Sequence, residues 1–477
     1  MKKSELQTDT IDKENRAVSQ WNFYPNYQQY VDTMLYFAAT YPEICRLDTI
    51  GTTVLNRKII ALKISDSVNM SESEPEFFYT STIHGDETTG YILMLHLADS
   101  LLKGYGTSPR ITNMVNSTEI FINPLANPDG TYRSGNTMSN PIRENYNGYD
   151  LNRNFPDPAG TNTGVKQPET LAFMNYAGLN NFVMAANFHG GTEVFNYPWD
   201  IWSRLTADDN WWRYTGREYA DTVHKYSVTG YFTAFNNGIT NGYAWYSIYG
   251  GRQDYMNFYK HCREVTIELS NVKTIPASKL IAHWNYNYHS LLNFIEQVNY
   301  GVQGVVTDTV TGEGLKAKVF VLGHDIQKDS SFVYSKLPSG FYARPIHEGT
   351  YNVTFSSPGY FPKTISDIEI ANYNTIHLNV QLRPLTYNIN EKVVKAPLVY
   401  PNPNNGQFRI VMPLKDMGNW QMEVIDRMGE KVLQKSVLAN QIFYTTQINL
   451  DYLSSGIYLV LLSKEGKVFQ DKIMIQK

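Results

Sequence analysis

Apolar runs at residues 59–64, 77–83, 119–122, 183–188 and 264–269 punctuate the first three hundred residues, with helical segments such as 91–102 between them. Such runs predict buried strands, and their alternation with helices predicts an α/β layer domain with ligand sites at strand ends. After Gly301 the texture changes to short alternating stretches. Val302-Gln-Gly-Val-Val, Lys318-Val-Phe-Val-Leu and Tyr351-Asn-Val-Thr-Phe are separated by the turn signals Thr311-Gly-Glu-Gly and Pro358-Gly-Tyr. This pattern predicts a small β-sandwich. A polar stretch with Pro384 and residues 388–392 looks like a linker, and alternating strands resume to the C-terminus. The expected organisation is a tail at 1–20, an α/β domain at 21–300, a β-sandwich at 301–384, a linker at 385–396 and a second all-β module at 397–477. No short tandem repeat suggests a solenoid.

A chain of 477 residues exceeds the size at which one core keeps growing, which also predicts several domains. A net charge of -4 and a pI near 6.2 provide no basic field, so nucleic-acid partners are discarded. The apolar stretch at 91–102 is interrupted by His96 and Asp99 and is too short to span a bilayer, so no transmembrane segment is expected. Met1-Lys-Lys is followed by polar residues rather than an apolar h-region, so the start does not read as a signal peptide. Cys45 and Cys262 are too few for a disulfide framework and too far apart for a CxxC motif.

Candidate chemistry begins at His84-Gly-Asp-Glu87, which ends one apolar strand, and His189-Gly-Gly, which ends another about a hundred residues later. Zn²⁺ takes neutral imidazole and carboxylate, and a catalytic site uses three protein ligands and keeps one position open for water. Two ligands close in sequence and a third from a distant strand suit that plan. HxxE alone is weak, since roughly half a chance match is expected in a chain with ten histidines. Its surroundings decide. Asn127-Pro-Asp-Gly130, Arg143 and Asp150-Leu-Asn-Arg-Asn lie between the two segments. Asn196-Tyr-Pro-Trp-Asp200, Trp245-Tyr246, Gly250-Gly-Arg-Gln253-Asp and Glu264-Val-Thr-Ile-Glu268 follow.

In this order and spacing these motifs resemble the zinc carboxypeptidase family, in particular its regulatory branch related to carboxypeptidases D, E, M and N. The resemblance covers about residues 21–382 and implies a mixed-sheet, phosphorylase/hydrolase-like α/β catalytic domain followed by a transthyretin-like β-sandwich. It implies one Zn²⁺ held by His84, Glu87 and His189, with Glu268 as the general base. It implies Arg143 as the oxyanion-stabilising arginine, with Arg133 the rival. Asn152 and Arg153 match the clamp for the substrate's terminal carboxylate, and a guanidinium fork suits that task. Tyr246, at its fixed offset from the glycine pair, matches a mobile tyrosine that closes over substrate. The twenty-residue tail is too short for an inhibitory pro-domain, which implies an enzyme active as made.

Asp200 and Gln253 match positions that hold a C-terminal Lys or Arg in basic-specific members, so C-terminal Arg and Lys of peptides and proteins are the expected substrates. Arg252 departs from the Met common in relatives, and a cation there would weaken a basic pocket if it faced inward. As an isolated strand, 264–269 would place Glu264, Thr266 and Glu268 on a solvated face. Finally Tyr400-Pro-Asn-Pro-Asn-Asn-Gly, Val424-Ile-Asp-Arg-Met-Gly and Leu453-Ser-Ser-Gly-Ile-Tyr resemble the C-terminal sorting domain of the type IX secretion system. That resemblance implies a Bacteroidota protein that engages the type IX machinery and is released or held at the cell surface. Two rival readings are a catalytically silent binding module and a zinc amidase acting on cell-wall or side-chain-linked peptides. The former would lack a ligand or the base, and the latter would present a cationic pocket or a different carboxylate clamp.

Overall fold

Eight strands form one mixed sheet whose inner members are parallel. The strands are β1 (Cys45–Thr52), β2 (Lys58–Ile64), β3 (Glu76–Ser81), β4 (Glu119–Asn123), β5 (Phe182–His189), β6 (Glu193–Tyr197), β7 (Ile239–Asn241) and β8 (Arg263–Leu269), in the order β1-β2-β4-β3-β5-β8-β6-β7. β4, β3, β5 and β8 run parallel, and antiparallel pairs flank them. The computed structural model describes residues 21–385, 398–413, 418–439, 443–464 and 467–477. The expected tail at 1–20 and nearly all of the expected linker lie outside the described residues.

The inner strands are apolar on both faces because helices cover both. On one face Phe77, Tyr79, Met184, Ala186, Phe188, Val265 and Ile267 pack against α1 (Thr89–Gly104), α2 (Asp209–Tyr226) and α3 (Leu280–Glu296). On the other, Phe78, Ala185 and Cys262 pack with Phe173, Tyr176, Tyr255 and Met256 from the helices Pro168–Leu179 and Arg252–Lys260. Every residue of β8 is buried, so 264–269 lacks the solvated face that an isolated alternating strand would have. α1 is buried almost all round, and Gly90 permits its close approach, since a Cβ there would lie 2.4 Å from Ser81 Oγ. Cys45 and Cys262 are both buried and unpaired.

Strands from Gly301–Asp308 to Val380–Leu382 build the first sandwich, with one sheet of four strands facing another around Gly301–Asp308. It belongs to the same compact unit as the α/β domain, which takes in residues up to 358 and 362–382. Buried charges weld the two together. Lys336 reaches Glu76 at 3.0 Å, and Glu119 at 3.6 Å, beneath the sheet. Arg344 bridges Asp325 at 2.6 Å and Asp208 at 2.9 Å, and Arg263 also holds Asp208. Removing one partner of a buried pair strands the other charge. Lys336→Met should therefore cost about 3 kcal/mol of stability, read as a lower urea midpoint, with Glu76→Gln restoring part of it.

The second unit, 383–477 with 359–361, is an all-β sandwich of three strands (Leu398–Tyr400, Gln407–Pro413, Phe443–Asn449) and four (Gly418–Ile425, Lys431–Ala439, Gly456–Lys464, Lys467–Ile475). Its core gathers Phe408, Ile410, Trp420, Met422, Val424, Val460, Leu462 and Ile473. Among the described residues no helix is long and apolar enough to cross a membrane.

Candidate active site and metal centre

The C-terminal ends of the parallel strands bring the distant motifs together, the usual position for sites in such sheets. His84 and Glu87 lie just beyond β3, His189 ends β5, and Glu268 sits on β8 directly paired with His189. The His84 loop is held by its neighbours. Gly85 N–H donates to Arg143 O, Asn127 Nδ2 donates to Ile83 O, and a Cβ at Gly85 would lie 2.4 Å from the Gly130 carbonyl carbon. Thr82, two residues before His84, adopts φ +62, an uncommon conformation for a β-branched residue and one of a kind that clusters at functional sites.

His84 Nδ1, His189 Nδ1 and Glu87 Oε2 converge within 2.7–3.0 Å of one another, all buried. The outer ring nitrogens are occupied elsewhere. His84 Nε2 lies 3.0 Å from Asp150 Oδ1, and His189 Nε2 lies 2.9 Å from the Asn187 amide. A proton on His84 Nε2, donated to Asp150, leaves Nδ1 as a bare lone pair, while Asn187 presents its Nδ2 donor to His189 Nε2 and accepts with its Oδ1 from Thr80 Oγ1. Burial pushes His189 down to about 4, so it is neutral at physiological pH. Burial opposes the charge on Glu87, yet the two imidazoles hold it well below the usual carboxylate range. Two imidazole nitrogens and one carboxylate oxygen facing one point suit a divalent cation, and that donor set suits Zn²⁺.

Arg143 borders this cluster. Its Nη1 donates to Glu87 Oε1 at 3.2 Å, and its Nε donates to Asp150 Oδ2 at 3.0 Å. The rival Arg133 is exposed and stacks over Tyr146. Asp150 Oδ1 also accepts from Asn152 N–H at 2.9 Å, so one carboxylate orients His84, Arg143 and the turn Leu151–Arg153. Asn152 is buried, its Oδ1 accepting from Arg252 N–H at 2.9 Å, while Arg153 is half-buried beside the exposed Tyr246. Burial, and then the Glu87 charge, push Glu268 well above the ordinary carboxylate range. Its Oε2 is buried without a hydrogen-bond partner among the described residues.

Asp200 lies deep in a separate nest. Its Oδ1 accepts from Asn196 Nδ2 at 3.2 Å and Gln253 Nε2 at 3.1 Å, and burial pushes its carboxyl up to about 6. A Cβ on Gly242 would lie 1.8 Å from that oxygen, so only glycine lets the backbone close there. Among the described residues no lysine or arginine pairs with Asp200, and the buried Asn196 Oδ1 and Gln253 Oε1 also lack partners. Arg252 does not face this nest. Its guanidinium is buried in the second core, paired with Glu264 at 3.0 Å and stacked over Phe78 and Phe173. Asp150, Asn187, Asn196 and Gly242 were not singled out from sequence. Only Asp150, beside Asn152 and Arg153, offered a local signal.

Residues 30–290 match the zinc carboxypeptidase family model, and the chain belongs to that family. Residues 398–476 match a secretion system C-terminal sorting domain, which marks the chain for type IX export. Among relatives, mouse carboxypeptidase M is 39% identical over 68% of this chain and 75% of its own length. Carboxypeptidase D from Anas platyrhynchos is 37% identical over 80% of this chain, which spans 28% of that larger protein. The fold is similar to crystal structures of thrombin activatable fibrinolysis inhibitor and of a Helicoverpa armigera carboxypeptidase A. Each superposes with a TM-score of 0.51 at 18% identity, covering 59% and 60% of this chain and 75% and 79% of the respective structures.

Proposed function

We propose that this protein is a secreted or cell-surface, single-zinc carboxypeptidase that removes one C-terminal Arg or Lys at a time from peptides and proteins. The domain limits that accompany this reading are a catalytic domain at 21–300, a transthyretin-like domain at 301–384 and a sorting domain at 397–477 joined by a linker. The specificity rests on one observation above the others. A buried carboxylate without a cation, flanked by two buried amide oxygens without donors, is a binding site for a side chain that carries positive charge and several N–H groups.

His84, Glu87 and His189 would hold Zn²⁺, which when bound polarises the scissile carbonyl and acidifies water. The chain's own groups do the rest. Arg153 and Asn152 bind the terminal carboxylate, which selects chain ends. Arg143 places positive charge where the carbonyl oxygen becomes negative. Glu268 takes a proton from the attacking water and delivers it to the leaving amine nitrogen. Tyr246, exposed at the rim, closes over the bound residue. The anionic nest gives the amidase reading no cationic pocket, and the presence of His84, Glu87, His189 and Glu268, the proposed ligands and base, speaks against a silent module.

Peptides differing only in a C-terminal Arg, Lys, Phe, Leu or Glu test this directly. Release of Arg and Lys alone, abolished by a zinc chelator and restored by Zn²⁺, is the expected result. Release of Phe or Leu would overturn the pocket assignment. His84→Ala should lose stoichiometric zinc by elemental analysis and reduce hydrolysis to background.

A further inference from the structure

We propose that Asp254 is a positioning residue that aims the Asp200 carboxylate at the incoming basic side chain, an inference that rests on the reading of Asp200 above. Asp254 lies in the first turn of the helix Arg252–Lys260 and is 1% exposed. Its Oδ1 accepts from the peptide N–H of Asp200 at 3.0 Å, and its Oδ2 accepts from that of Ile201 at 2.9 Å. The Asp200 carbonyl accepts in turn from Ile248 N–H. The backbone from which the Asp200 side chain springs is thus held on both sides, with two carboxyl oxygens accepting on one of them.

A second buried carboxylate here is costly. Among the described residues no cation pairs with Asp254, and it faces the like charge of Asp200. Burial first, and Asp200 second, push its carboxyl well above the ordinary range. A neutral loop residue would hold the chain without that repulsion, though not with two oxygen atoms of one side chain directed at consecutive N–H groups. The same turn also fixes Asn152 through Arg252 N–H and Asp200 through Gln253 Nε2. One helical turn therefore sets both the terminal-carboxylate clamp and the specificity anion, and Asp254 is its link to the backbone beneath the anion.

Asp254→Asn tests this, because an amide accepts with its oxygen but presents N–H₂ to the second peptide N–H. Steady-state kinetics on Arg-ended and Leu-ended peptides should show KM for the Arg peptide rising about tenfold, with kcat within about twofold and kcat/KM for the Leu peptide unchanged. Asp254→Glu should fall between. In Asp200→Asn/Asp254→Asn the second change should add nothing to KM, because Asp254 acts through Asp200. If Asp254→Asn does not fold, Asp254→Glu carries the test with a several-fold rise confined to the Arg peptide. An equal loss on both peptides, or no change on either, overturns the proposal. If Asp200→Asn alone keeps full Arg selectivity, the pocket reading has failed, and the proposal goes with it.

Discussion

Glu268→Gln should lower kcat on an Arg-ended peptide by about 10³-fold while zinc content and thermal unfolding stay at wild-type values. The substitution keeps the shape of the side chain and removes its basicity, and a general base contributes typically 10²–10⁴-fold. The strand fixes where that base stands. Glu268 is buried on β8 beside His189, and the strand positions both through the backbone ladder. Glu268→Asp, which withdraws the carboxylate by about 1 Å, should recover only part of the loss, because a 1 Å misplacement can itself cost 10²-fold. Wild-type kcat in Glu268→Gln with zinc present would remove Glu268 from the mechanism.

Asp200→Asn should reverse the preference rather than stop the chemistry. Losing one partner of a buried charge pair costs about 2–5 kcal/mol in binding, which predicts a fall of roughly 30- to 4,000-fold in kcat/KM for Arg and Lys peptides. Leu and Phe peptides should be hydrolysed as well as before or better. In the wild type, Asp200 must be ionised to bind a cation, and burial places its carboxyl at about 6. The ratio of kcat/KM for Arg over Leu peptides should therefore rise with pH through about 6 and level off above it. The stability consequence has the opposite sense to that of a salt-bridged carboxylate. A folded value above the unfolded one means that the folded chain binds more protons between about 4 and 6, so Asp200 makes the fold less stable as pH rises through that window. Asp200→Asn should then unfold no earlier than wild type at pH 7, a specificity residue retained at some cost in stability. A fall in melting temperature together with intact Arg selectivity would sink the assignment.

The parallel core was legible because strands covered by helices on both faces read as continuous apolar runs, and the observed strands extend the expected ones by one residue at most ends, while the 77–83 run stops at Ser81. That same burial leaves neither face of 264–269 solvated, because alternation marks a solvent face only where a sheet has one. α2 was harder to read, since its face away from the sheet is polar. The grouping of His84, Glu87, His189 and Glu268 at one end of the sheet was legible through motif order. Their partners were not, because Asp150 meets His84 across 66 residues and Asp254 meets Asp200 across 54, and no local pattern encodes such a contact. Arg252 shows the limit most plainly. Its neighbours in sequence, Gly251 and Gln253, line the specificity nest, yet a helix turns successive side chains about 100° apart, which sends its guanidinium into the opposite core.

The pairing of His189 with Glu268, and the meeting of His84 with His189 across 105 residues, also control when activity begins. No single segment of the chain holds enough of the site to bind the metal and activate water. β3, β5 and β8 must all be in register, and such non-local pairings form late, after the loops between them have closed. On the proposed function, a chain still being made, or still unfolded, would be harmless to the C-termini around it. The order of the strands would thus delay proteolysis until folding is complete.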